Sequence, residues 1–415
     1  MNATNKRPLA RRLLKGVAVL VMIGFLGIGL VLSALWLEHT TNSTLPIPTG
    51  PFAVGRSIYD WTDDGKVDAL APVPGTKREL LVWIWYPAAR QSAATEDYLP
   101  APWRIAIRRQ SGVLLGDFLT RDLSKVHAHS LRAAPVSPQQ RSYPVVILRA
   151  GASLEVASYT TLAEDLTSHG YVVVGLDAPY RTGIVVFPDG RVMKRTPKNN
   201  PELCIEKTGS GQADCVNKLL AAWTADIAFV LDRLAQLNAS DPSGRFVGRL
   251  DLARVGVFGH SFGGAQAAQF CSEDSRCKAG IDIDGAPFGS VIQTGMQKPF
   301  MFVGSGNGDF SSDAETRRIY PDIQSIYSRL PADKRLRLVI RGANHFTFSD
   351  DGAVLKSHIL RGILRLVGKL GIDGRRQLAV TAYCVASFFD AYLKGAGPSS
   401  RYIPSSLYPE VEVLE

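Results

Sequence analysis

Acidic residues are missing from the first 37 positions, which carry Lys6, Arg7, Arg11, Arg12 and Lys15 instead. Five of the nine net positive charges of this 415-residue chain therefore sit at one end, which leaves only +4 for the rest. That is too little, over too many residues, for a nucleic-acid surface. Metal-ligand spacing is also missing. The nearest approach is His127-Ala128-His129, which lacks further ligands and reads as a solvated segment, so no metal is expected. No glycine loop of the kind that cradles phosphate stands out, and no cofactor is expected. Internal repeats are absent, and so are low-complexity tracts beyond a Pro/Thr/Ser-rich stretch at Thr40 to Gly50.

What is present begins with the leader. Residues 16–37 form a run of 22 residues without a charge. At about 1.5 Å per residue such a helix crosses a bilayer core of about 30 Å. The basic cluster before it should stay cytoplasmic, so the remainder is exported. Leu32-Ser33-Ala34 places Leu where a cleavage site wants a small residue. The leader therefore reads as an uncleaved anchor, with a cleaved, secreted form as the lesser alternative. The expected organisation is a basic cytoplasmic segment (1–15), a membrane-spanning signal-anchor (16–37), a linker (38–50), one folded domain (51–400) and a tail (401–415). Within the domain, 91–138 is expected to be a helical insertion and 182–216 an excursion. Five cysteines fit an oxidising compartment. The near pairs Cys271–Cys277 and Cys204–Cys215 are expected to be disulfides, and Cys384, in an apolar helical pattern, a buried thiol.

Short apolar runs alternate with helical stretches from Pro144 onward. PVVIL (144–148), YVVVGL (171–176), VGVF (255–258), GIDID (280–284), the run 299–304 and RLRLVI (335–340) read as strands. Helices are expected over 158–169, 219–237, 261–270 and 377–394. An α/β fold with a mainly parallel sheet covered on both faces follows.

One motif carries chemistry. Gly259-His260-Ser261-Phe262-Gly263-Gly264 follows the strand VGVF and opens a helix rich in small residues. This is the nucleophile-elbow pattern of α/β-hydrolases, in which a serine stands on a strained turn and neighbouring residues must lack bulk. Ser261 is the expected nucleophile, and His260 is read as structural. The base should follow in the chain, and only His345 and His358 do. His358 lies in a helical stretch, whereas His345 sits in a loop after the strand RLRLVI, so His345 is the expected base. For the acid, spacing leaves two candidates open. Asp284 closes GIDID, and Asp309 follows the next strand in GSGNGD. One oxyanion donor should be the N–H of Phe262.

Several stretches resemble the platelet-activating factor acetylhydrolase (lipoprotein-associated phospholipase A2) family. They are PTGPFAVG, LAEDLTSHGYVVVGLDAPYR, VGVFGHSFGGAQAAQ, KAGIDIDGAPFG, KPFMFVGSGNGD and RLRLVIRGANHFTFSD, in family order over residues 48–395. The resemblance implies Asp284 as the acid, with Asp309 as the alternative. It also implies a second oxyanion donor in the loop after the first central strand, at the N–H of Ala152. The family usually has His-Gly there, whereas this chain has Ala150-Gly151. Arg149, at the end of that strand, is expected to be a structural ion pair or a substrate contact. The implied substrate is an ester, with short or oxidised acyl chains of phospholipids foremost. A general carboxylesterase or polyesterase and a non-catalytic binding protein of the same fold are the alternatives.

Overall fold

The computed structural model describes residues 6–90, 94–152, 154–205, 210–306, 314–395 and 406–414. In chain order the helices and strands are α1 (Lys6–His39), β1 (Ser43–Thr44), β2 (Ala53–Val67), β3 (Lys77–Ala88), β4 (Thr95–Asp97), α2 (Ala101–Val113), β5 (Val126–Leu131) and β6 (Tyr143–Arg149). There follow α3 (Thr160–Ser168), β7 (Val172–Asp177), β8 (Ile184–Val186), β9 (Val192–Lys194), α4 (Pro201–Ile205), α5 (Ser210–Ala239), β10 (Leu250–His260) and α6 (Phe262–Glu273). The last third holds β11 (Cys277–Ile283), α7 (Val291–Thr294), β12 (Phe300–Gly306), α8 (Ala314–Arg329), β13 (Arg335–Arg341), α9 (His358–Leu366), α10 (Gly374–Leu393) and β14 (Val411–Val413).

One sheet organises the molecule, in the order β1-β5-β2-β3-β7-β6-β10-β11-β12-β13-β14, with β4 on β5. From β7 to β13 all neighbours are parallel. Alternate residues of each central strand feed opposite cores. On β6, Val146 and Leu148 join Trp83, Trp85 and Phe258 under α3 and α10. Val145 and Ile147 join Val82, Ile84 and Val257 under α5 and α6. A strand apolar on both sides is stable only when helices cover both faces, which is why these strands read as unbroken apolar runs. Parallel order also brings the C-terminal ends of β6, β10, β11, β12 and β13 to one edge, where ligands collect in such sheets.

Several expectations need correction. The stretch 91–138 is not only a helical insertion. It holds α2, but also β4 and β5, and β5 is part of the main sheet. His127 and His129 belong to β5, whose burial alternates with a two-residue period that the neighbouring helical spacing obscured. The stretch 38–50 is no free linker. It ends α1, contributes β1, and is fastened where Thr49 N–H and hydroxyl both donate to Asp165. Within 182–216 lie the β8–β9 hairpin and α4, and α5 starts at 210, earlier than expected. The tail supplies β14, antiparallel on β13. The sheet also gains β2, which the sequence pattern did not announce.

Both expected disulfides are present, Cys204–Cys215 and Cys271–Cys277, and Cys384 is a buried thiol. Helix α1 is long and apolar enough to cross a membrane: within Arg11–His39 an 18-residue window has mean hydropathy 2.6, and none of that window is buried in the protein. Its end is latched to the body. The Glu38 carboxylate accepts from Arg121 Nη2 (3.2 Å), from Ser357 Oγ (2.8 Å) and from the N–H of His358, the first residue of α9. His39 Nδ1 donates to Thr120 O at 2.7 Å, and Trp36 meets Phe118.

Candidate active site

The turn between β10 and α6 decides the geometry. Ser261 has φ 56 and ψ −126, a left-handed conformation that disfavours any side chain and costs on the order of 1–3 kcal/mol. The surroundings hold it there. Ser261 N–H donates to Ile283 O at 2.8 Å, and Gly264 N–H donates to Ser261 O at 2.8 Å. Strand and helix pass so closely that bulk is excluded. A Cβ on Gly259 would stand 2.2 Å from Gly263 O, and one on Gly263 would stand 2.4 Å from Arg149 O. Phe262 is the first residue of α6, so its N–H has no acceptor within the helix.

His345 opens a short 3-10 turn after β13. Its loop is pinned through Asn344. Asn344 N–H donates to Gln377 Oε1 (3.0 Å), Gln377 Nε2 donates to Asn344 O (2.9 Å), and Asn344 Nδ2 donates to Lys369 O (2.9 Å). The imidazole lies against the ring of His260, centroid to centroid 4.5 Å, one residue from Ser261. Its Nδ1 is 2.7 Å from Asp284 Oδ2.

Asp284 follows β11 with φ 54, and this left-handed step breaks strand alternation. Asp282 and Asp284, which a regular strand would hold on one side, consequently serve different surroundings. Asp284 Oδ1 accepts from Ser305 N–H (2.6 Å), and both its oxygens accept from the Ser305 hydroxyl. Burial alone would raise this carboxyl, but the His345 hydrogen bond and charge, with the Ser305 donors, outweigh it and hold Asp284 below the usual carboxylate range. Asp282 is buried beneath the elbow, with Oδ1 accepting from Gly285 N–H at 2.9 Å. Burial, opposed by that bond and reinforced by Asp284, pushes it up to about 8. Asp309 lies outside the described residues.

The loop after β6 closes the site. Ala152 O accepts from Arg195 Nη1 at 2.6 Å, and Gly151 O accepts from Leu154 N–H at 3.3 Å. A small cavity beside Ala152 and Phe262 is bounded further by Leu154 and Trp223. Among the described residues Arg149 is not half of an ion pair. It is fully buried, donates from Nε to Gln266 Oε1 (2.7 Å) and from Nη1 to Leu176 O, and lies over Trp223. Burial outweighs the nearby Asp226 and Asp177 and pulls it down to about 10. His129 Nε2 bonds Leu45 O at 3.0 Å, and His358 is engaged at the α1 latch.

Sequence reasoning passed over Ser305, Arg195 and Tyr159. Ser305 had a usable signal, a hydroxyl at the end of the strand next to GIDID. Arg195 and Tyr159 come from distant segments and had none.

A family model described as platelet-activating factor acetylhydrolase, isoform II, matches residues 37–395. A probable 1-alkyl-2-acetylglycerophosphocholine esterase of Arthroderma benhamiae is 24% identical over 412 residues, covering 93% of this chain and 97% of its own. The platelet-activating factor acetylhydrolase of Canis lupus familiaris is 23% identical over 327 residues, covering 74% of this chain and 69% of its own. Among solved structures, a ferulic acid esterase from Streptomyces cinnamoneus is similar with a TM-score of 0.70 at 28% identity, covering 90% of this chain and 100% of that one.

Proposed function

We propose that this chain, which belongs to the platelet-activating factor acetylhydrolase isoform II family, uses Ser261 as nucleophile, His345 as base and Asp284 as orienting acid. The fold is that of the α/β-hydrolases, and the activity is serine-dependent hydrolysis of phospholipid-like esters. One observation carries the residue assignment. A carboxylate that can only accept lies 2.7 Å from His345 Nδ1, so Nδ1 carries the proton and Nε2 is left free to take one.

The reaction then follows. Nε2 of His345 removes the proton of Ser261 Oγ as Oγ attacks the ester carbonyl. The N–H groups of Phe262 and Ala152 hold the oxyanion, aided by the N-terminal end of α6. Collapse expels the alcohol, protonated by His345, and water activated by His345 releases the acyl group.

The test is labelling by a fluorophosphonate probe with peptide mapping, together with Ser261→Ala. Labelling should fall on Ser261, and the variant should lose about a thousandfold or more of turnover. Residual turnover within tenfold of wild type would remove Ser261 from the mechanism. A screen of glycerophospholipid and simple esters by chain length then separates a phospholipid substrate from a general carboxylesterase or polyesterase.

The same reading places the catalytic body outside the cytoplasm with α1 in the membrane. The basic residues before α1's apolar run and the two disulfides support it. Protease added to spheroplasts should digest the body. Protection, or recovery of a cleaved soluble form, argues against the anchor.

A further inference from the structure

The two candidate oxyanion donors sit on different elements. Phe262 belongs to α6, while Ala152 belongs to the loop after β6. Donors act on a developing charge only if their spacing is set before the reaction. Something must tie the loop to the elbow, and a buried hydroxyl lies between them.

Tyr159, 1% exposed, stands between β6 and α3. Gly151 N–H donates to its hydroxyl at 3.2 Å, and that hydroxyl lies 2.7 Å from Nδ1 of His260, the residue before the nucleophile. Gly151 N–H can only donate, so the hydroxyl accepts there; its single proton is given to His260 Nδ1 in the tautomer that carries the imidazole proton on Nε2. Burial keeps the phenol well above its ordinary range, against the Gly151 bond. Burial first, and the neighbouring His345 second, pull His260 down to about 3, which leaves it neutral. The contact is close. A Cβ on Gly151 would stand 3.3 Å from both His260 Nδ1 and the Tyr159 oxygen, and 3.4 Å from Ser261 Cβ.

The loop peptides are fixed in turn. Tyr159 holds the N–H of Gly151, Leu154 N–H holds its carbonyl, and Arg195 holds the carbonyl of Ala152. The N–H of Ala152 is flanked by held groups on both sides.

We propose that Tyr159 is a positioning residue of this enzyme: through His260 its hydroxyl fastens the oxyanion loop to the elbow, so that the N–H groups of Ala152 and Phe262 converge on one oxygen. This rests on the nucleophile and oxyanion reading above. It assigns His260 a task as the far end of the bridge, and makes the bridge the reason an Ala150-Gly151 loop suffices.

The experiment compares wild type with Tyr159→Phe, His260→Leu and His260→Gln. The readouts are p-nitrophenyl acetate turnover and the affinity of an alkyl trifluoromethyl ketone, which adds to the serine and forms an oxyanion. Tyr159→Phe and His260→Leu should lower kcat by about 10- to 100-fold with KM little changed. Ketone affinity should fall by a similar factor. His260→Gln, whose amide oxygen can accept from Tyr159, should recover most of both. Tyr159→Phe turnover within threefold of wild type overturns the proposal, as does a turnover loss with ketone affinity unchanged. If Tyr159→Phe does not fold, the His260→Leu and His260→Gln pair decides, and equal behaviour of the two overturns the bridge. Wild-type protein that a fluorophosphonate does not label at Ser261 refutes the underlying mechanism and the bridge with it. Normal labelling with unaltered variants refutes the bridge alone.

Discussion

Replacing Asp284 by Asn changes one atom and should nearly abolish turnover, for a reason the hydrogen bonds spell out. Asp284 Oδ1 accepts from Ser305 N–H at 2.6 Å, a backbone donor that cannot turn round. The Asn oxygen must stay there, which forces its NH2 group into the position of Oδ2, against His345 Nδ1. Two donors cannot face each other. Nδ1 must therefore give up its proton, and the neutral imidazole carries it on Nε2 instead. That tautomer cannot accept a proton from Ser261. In serine hydrolases this exchange costs about 10⁴ in turnover, and we expect about 10³–10⁴ here, equivalent to about 4–5.5 kcal/mol in the barrier. The assay is kcat/KM on a chromogenic short-chain ester, with circular dichroism and melting to show the fold intact. Asp309→Asn, measured in parallel, should keep most activity. Turnover of Asp284→Asn within tenfold of wild type would mean that another carboxylate orients His345, and the opposite pattern would give Asp309 the role.

Asp282, pushed up to about 8 and so protonated at neutral pH, makes stability depend on pH. Its folded value exceeds the unfolded one, so its contribution is complete below about pH 4 and drains away as pH rises toward 8. Asp282→Asn should therefore melt several degrees above wild type at pH 9 and converge with it at pH 4; parallel melting curves across that range would rule this out. Gly263→Ala places a Cβ 2.4 Å from Arg149 O and 2.7 Å from Ala150 O, backbone that has nowhere to go. It should cost about 1–3 kcal/mol or more in denaturant titration and most activity, and an unchanged midpoint would contradict the packing. Unfolded, unreduced protein treated with an alkylating reagent should be modified at Cys384 alone. Labelling at all five cysteines without reductant would disprove the pairings.

Legibility in the sequence followed how local the physics is. The strands β6, β7, β10 and β11 show as apolar runs because each is buried on both faces, and the turn at Ser261 shows because close packing demands glycine within a few positions. β2 was not visible: Asp60, Asp63, Asp64 and Lys66 interrupt its apolar pattern, and it is a strand because β3 lies antiparallel along it. β5 hid behind the helical spacing of α2, and β14 is only three residues long. Asp284 and Asp309 could not be separated by spacing, since both follow strands at the same sheet edge. What the fold adds at Asp284 is a left-handed backbone step, a serine on the neighbouring strand and the approach of His345, none of which a one-dimensional pattern encodes. Tyr159 and Arg195 reach the oxyanion loop only through the folded chain.

The latch at Glu38 bears on where a version of this enzyme without α1 should begin. A boundary at residue 40 looks natural, since it discards only the apolar helix. It would also discard the carboxylate that faces the buried guanidinium of Arg121 and caps the first turn of α9 at Ser357 and His358. Just beyond the other end of that helix, Lys369 O is the acceptor that steadies Asn344, the residue before His345. Trimming α1 too tightly thus loosens a brace whose far end touches the loop of His345. A truncated enzyme that begins ahead of Glu38 keeps the brace, and a difference in turnover between the two boundaries would measure what the brace is worth.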